Sequence, residues 1–123
     1  MSRLALVALT ACIATTPHKN EAVAHMGRAH WQAQVTSATF DGKLVRIALG
    51  PRIAIVIASC YAHAQQKIGD HDHVQIELDG KPPLTGELDI TDCLTTHVIA
   101  RVDAKFADGT RLEADLDTEL AKP

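Results

Sequence analysis

From Val98 to Asp117 apolar and polar residues alternate with little interruption, and this period of two constrains the fold more than any other feature of the chain. Val98, Ala100, Val102, Ala104 and Phe106 share one face, and Ile99, Arg101, Asp103 and Lys105 share the other. Beyond Asp108-Gly109, Leu112, Ala114 and Leu116 oppose Arg111, Glu113, Asp115 and Asp117. Residues paired across a hairpin lie on one face, so parity selects the turn. A two-residue Asp108-Gly109 loop would set Phe106 against Arg111 and oppose apolar to charged side chains throughout. A three-residue loop, Ala107-Asp108-Gly109 with Gly109 in the left-handed region, pairs Phe106 with Thr110 and Ala104 with Leu112.

Two more Asp-Gly pairs divide the chain. The same turn at Phe40-Asp41-Gly42 pairs Thr39 with Lys43 and Val35 with Ile47. Asp79-Gly80 joins Val74–Leu78 to Leu84–Ile90, where Pro82 and Pro83 delay the return strand and mark an exposed edge. The apolar run Pro51 to His63 has no solvent face, which predicts a central strand buried on both sides beneath the hairpins. Strands are thus expected near 31–39, 43–49, 52–59, 73–78, 84–90, 97–106 and 110–118, an all-β, seven-stranded antiparallel sandwich or small barrel. An α+β domain is the alternative. Gly50-Pro51 and Gly69 are also helix start and stop signals, and a short helix near 60–68 suits the composition there.

A chain of 123 residues supports one domain with a modest core, and with 3% aromatic residues that core must be Ile, Val, Leu and Ala. The 12 Lys and Arg against 15 Asp and Glu argue against nucleic acid, which needs a clustered cationic excess.

Residues Met1 to Ala14 place one Arg before an uninterrupted apolar stretch, the layout of a secretory signal too short to span a bilayer. Its end, Leu9-Thr10-Ala11-Cys12, resembles the lipobox of bacterial lipoproteins. That resemblance implies cleavage before Cys12, a lipid on its sulfur, and a place in the cell envelope with the membrane as a partner. The division is then a signal peptide at 1–11, a tether at 12–29 and one β domain at 30–120, with a mature charge of 11 minus 15, or −4. Ala22-Val23-Ala24 offers an alternative cleavage site of the A-x-A type, which would leave His25 as the first residue. A third reading is an N-terminal helix in an unexported protein.

With Cys12 acylated, Cys60 and Cys93 remain, and an exported protein most simply joins them. Such a disulfide closes 34 residues (60 to 93 inclusive) and is worth roughly 3 to 4 kcal/mol by chain entropy. Metal is the competing use. Cys60-x-x-His63 and Cys93-x-x-x-His97 together supply a Cys₂His₂ set for zinc. His25, as a new amino terminus, with His71 or His73 of Asp70-His71-Asp72-His73, resembles the terminal-histidine site of periplasmic copper carriers with sandwich folds. Catalysis finds little footing. Ser59-Cys60 after an apolar strand resembles the nucleophile strand of caspase-like and legumain-like cysteine peptidases, but the upstream His-Gly is missing and the chain is too short for that fold. Glu113, Asp115 and Asp117 alternate as a solvated strand face would. The expectation is a non-enzymatic, lipid-anchored envelope module without a cofactor that binds another protein or a ligand, with a periplasmic zinc- or copper-binding protein as the alternative.

Overall fold

The computed structural model describes residues 17–58, 64–67 and 74–122. The described residues form nine strands and no helix: β1 (Glu21–Met26), β2 (Ala29–Phe40), β3 (Val45–Leu49), β4 (Ile53–Ile57), β5 (Ala64–Lys67), β6 (Val74–Leu78), β7 (Thr85–Cys93), β8 (His97–Lys105) and β9 (Arg111–Glu119). All named strand pairs are antiparallel, in the order β5-β7-β8-β9-β1-β2-β3-β4-β6. The twelve-residue β2 gives its first half to β1 and its second half to β3, with a bulge between Val35 and Ser37. The sheet curls there into a nearly closed, barrel-like sandwich around one core. That core draws Ala22, Ala24, Leu88, Ile90, Val102 and Leu112 from one wing and Ile47, Leu49, Ile55 and Ile76 from the other.

The β8–β9 hairpin has the register that its alternation demands. Ala104 pairs with Leu112, Phe106 N donates to Thr110 O at 2.9 Å, and Gly109 takes φ 91°. Asp108 Oδ1 accepts the Thr110 N–H at 2.9 Å and closes the turn. The other two Asp-Gly sites depart from expectation. At the β2–β3 turn Phe40 pairs with Val45 and Ala38 with Ile47, so Val35 meets Leu49 and not Ile47. The loop is one residue longer than expected because Asp41 Oδ1 accepts both the Lys43 and Leu44 N–H groups, at 2.9 and 2.8 Å. The bulge after Val35 absorbs the mismatch and moves the inward row from Trp31, Ala33 and Val35 to Ala38 and Phe40. At Asp79-Gly80 both central residues take positive φ, 54° and 79°, as a two-residue type I′ turn requires. Leu78 and Lys81 exchange both backbone hydrogen bonds, but the ladder stops there: β6 pairs with β4, while β7 lies on the other wing between β5 and β8. Pro82 and Pro83 have no N–H with which to continue it.

The Pro51–His63 run is not a doubly buried central strand. Ile53, Ile55 and Ile57 face the core, whereas Ala54 is exposed and Val56 half-buried, and β4 lies next to the edge strand β6. Two apolar residues on the outward row disguise an ordinary alternation. The helix expected near 60–68 is also corrected over Ala64–Lys67, which is β5, paired with Glu87–Ile90 of β7. The rest of that stretch lies outside the described residues.

The largest correction concerns the stretch read as a tether. Glu21–Met26 forms β1, paired along its length to β2 and, from Glu21 to His25, to β9. Ala22, Val23 and Ala24 are each 0% exposed. Three successive small apolar residues show no period, because Ala22 and Ala24 face the core while Val23 is buried on the opposite side. The Ala22-Val23-Ala24 sequence therefore lies inside the sheet, and cleavage after Ala24 would remove four buried residues of a strand paired on both sides. We expect a chain beginning at His25 to show no cooperative thermal melt by circular dichroism, whereas a chain beginning at Pro17 melts cooperatively. Equal melting of the two would contradict this role for β1.

Candidate functional site

A cluster of polar contacts lies where the chain enters the sheet. The chain enters β1 there through Asn20, a non-glycine residue at φ 60°. Asn20 is held on three sides: its N–H donates to Asp115 O (2.6 Å), its carbonyl accepts from Val35 N (3.0 Å), and its Oδ1 accepts the Asp117 N–H (2.7 Å). The Asp117 carboxylate in turn lies 2.5 Å from His97 Nε2 and 3.6 Å from Lys19 Nζ. His97 opens β8 and Asp117 is on β9, so this group clasps the entering chain to two strands. A histidine oriented by a carboxylate also occurs in acid–base sites; here the same carboxylate also holds Lys19 of the entering chain.

Cys93 and His97 are close in sequence but not on one face. A bulge between Ile90 and Asp92 shifts the alternation of β7, so Cys93 pairs with the buried Val98 and packs against the core. His97 lies on the other face with Asp117. The zinc set therefore loses its Cys93–His97 half. Cys93 is not a free thiol, and its partner lies outside the described residues. Cys12, Cys60, His63, His71 and His73 also lie outside them, so neither the lipidation site nor the histidine cluster is placed. His25 is on β1 directly opposite His30 of β2. Among the described residues no three His, Cys, Asp or Glu side chains form a metal-holding group.

Beside the clasp is an open cleft of about 590 Å³, bounded by the β2–β3 turn, the β7–β8 turn and the C-terminal residues. The last of these form a strap across the two wings. Leu120 N donates to Thr96 O (2.8 Å), Ala121 N to Ala38 O (2.9 Å), and Phe40 N to Ala121 O (2.9 Å). Phe40, Leu120 and Ala121 give the cleft an apolar lining, with Thr95, Thr96 and Lys122 as its polar rim. Asp41 also borders it, but its carboxylate is engaged by the Lys43 and Leu44 amides. The cleft is thus suited to an apolar body that carries an acceptor or anionic group toward Thr95, Thr96 and Lys122. It was not legible in the sequence, since its walls come from three distant segments.

The outward face of β8 and β9 is a field of charge pairs. Arg111 lies 3.1 Å from Asp103 and 3.7 Å from Glu113, and Arg101 lies 4.0 Å from Asp115. These pairs are solvent-exposed or nearly so and contribute little individually. No protein-family model, curated protein or solved structure matches this chain.

Four carboxyls are held below the ordinary aspartate value, each by hydrogen bonds to its charged form: Asp117 by His97, Asp79 by Arg52, Asp41 by the Leu44 and Lys43 amides, and Asp108 by Thr110. A carboxyl lowered in the folded state binds its proton more readily unfolded. Its stabilisation is present above the unfolded value, about 3.9, and is lost as pH falls through the folded one. We expect urea-unfolding stability to fall as pH drops below about 4. Asp117→Asn should be less stable than the parent at pH 7 and converge with it in acid. A constant difference across that range would remove Asp117 from the clasp.

Proposed function

We propose that this protein is a non-enzymatic binding module of the bacterial cell envelope, exported and held to the membrane by a lipid on Cys12. The cleft between Phe40, Thr96 and Leu120 is the observation that carries the reading. The cleft offers a concave apolar site whose hydroxyls and ammonium can orient a ligand. The envelope assignment rests on the Leu9-Thr10-Ala11-Cys12 resemblance, and it agrees with the domain as folded: cleavage before Cys12 leaves β1 whole, whereas cleavage after Ala24 does not.

A disulfide between Cys60 and Cys93 belongs to the same reading. Cys93 is not a free thiol, and Cys60 follows β4 by three residues. The chain leaves that strand at Ile57, which lies in one row with Val45 and Val74 and so at the end of the domain that carries Phe40 and the cleft. A bridge there would brace the β7–β8 turn that forms one wall.

Native mass spectrometry of the protein extracted from its own host's membranes tests these points together. The expected species starts at Cys12 with a diacylglyceryl group, lacks two hydrogens for Cys60–Cys93, and retains a small apolar molecule that Thr96→Trp excludes. An unprocessed Met1 chain with three free thiols would overturn the reading. Cys60→Ser with Cys93→Ser should lower unfolding stability by about 3 to 4 kcal/mol in urea titrations.

A further inference from the structure

The β1–β2 hairpin brings together two histidines, His25 and His30. Its turn has two residues, Gly27 and Arg28, with Gly27 at φ 61° as the first position of a type II′ turn requires. That turn sets the register, Met26 opposite Ala29 and His25 opposite His30. Ala24 and Trp31, one step further, face the core, so His25 and His30 both project from the outward face. Their ring centroids are 6.1 Å apart, with 39° between the ring planes. His25 is half-buried and His30 exposed, so both rings reach solvent from a backbone anchored by β9.

From this arrangement we propose that His25 and His30 form a chelating pair for a borderline divalent transition cation, of the Cu²⁺, Ni²⁺ or Zn²⁺ class. Neutral imidazole nitrogens suit these ions, and water completes the coordination. Directly opposed residues on an antiparallel pair have Cβ atoms about 4.5 to 5.5 Å apart, so small rotations of the two rings can direct one nitrogen of each at a shared ion. Arg111 pairs with His25 across the β1–β9 ladder, and its guanidinium is engaged by Asp103 and Glu113, while Arg28 lies in the hairpin turn two residues from His30. This site differs from the His25 reading made from sequence. It needs no cleavage after Ala24, takes His30 in place of His71 or His73, and is independent of the cleft and of Cys12.

Trp31 is the chain's only tryptophan and follows His30 directly, so a paramagnetic ion on His30 quenches its emission. The test is a titration of the full chain with copper(II) chloride near neutral pH, followed by Trp31 fluorescence and by the thermal midpoint. The expected result is saturable quenching at one equivalent and a higher midpoint with metal. His25→Gln and His30→Gln should each weaken that binding roughly a hundredfold, the gain a second ligand held at fixed spacing confers. His71→Gln with His73→Gln should leave it unchanged. The proposal is overturned if the parent shows no saturable quenching, if either single variant binds as the parent does while retaining its circular dichroism, or if the His71/His73 double variant abolishes the binding.

Discussion

The fold depends on one strand having both of its edges occupied. β1 pairs with β9 on one side and β2 on the other, and it joins the two halves of the molecule: β5, β7, β8 and β9 to its left in the sheet order, β2, β3, β4 and β6 to its right. Without it the β8–β9 hairpin and the β2–β3–β4 meander would expose two long edges and share no ladder. The small side chains of Ala22 and Ala24 fit this position, where both wings converge on the core. Asn20, Asp117, His97 and Lys19 then fasten the chain as it enters, so the start of β1 is held by hydrogen bonds to β2 and β9 before the ladders begin.

A second theme is the use of aspartate beside glycine. Each of the three pairs supplies the positive φ that a turn needs, and each carboxylate then has a different partner. Asp108 closes its own turn through Thr110, and Asp41 caps Lys43 and Leu44. Asp79 instead reaches Arg52 of the β3–β4 turn, with Nη2 to Oδ2 at 2.6 Å, and the Arg52 guanidinium lies 4.2 Å above the Trp31 ring. That arrangement ties β6, the β3–β4 turn and β2 together at the end of the domain opposite the cleft. The cleft end is bound mainly by the Leu120–Lys122 strap, which leaves room between its turns for a ligand.

How much of this was legible follows from how strands encode their faces. Where alternation runs unbroken, as in β8 and β9, it gave the faces, the register and the turn. It failed at the two bulges, because one extra residue reverses every later face and leaves no mark in composition. The bulge in β7 is why Cys93 and His97 part, and the one in β2 is why Val35 meets Leu49. β1 escaped notice because Ala22-Val23-Ala24 is buried on both sides and shows no period. Gly27-Arg28, a glycine-first pair between two extended runs, was the available signal for its hairpin, and reading it would also have placed His25 opposite His30. The cleft had no local signal at all, since Phe40, Thr96 and Leu120 meet only through the strap.

The central claim is that β1 is the joint on which both wings depend, and amide hydrogen exchange measures it directly. If β1 opens only when the whole domain unfolds, the Ala22, Val23 and Ala24 amides engaged in its two ladders exchange as slowly as those of Val102 and Ala114, with the free energy of global unfolding. Exchange of these amides at rates typical of loops, while Val102 and Ala114 remain protected, would contradict the account.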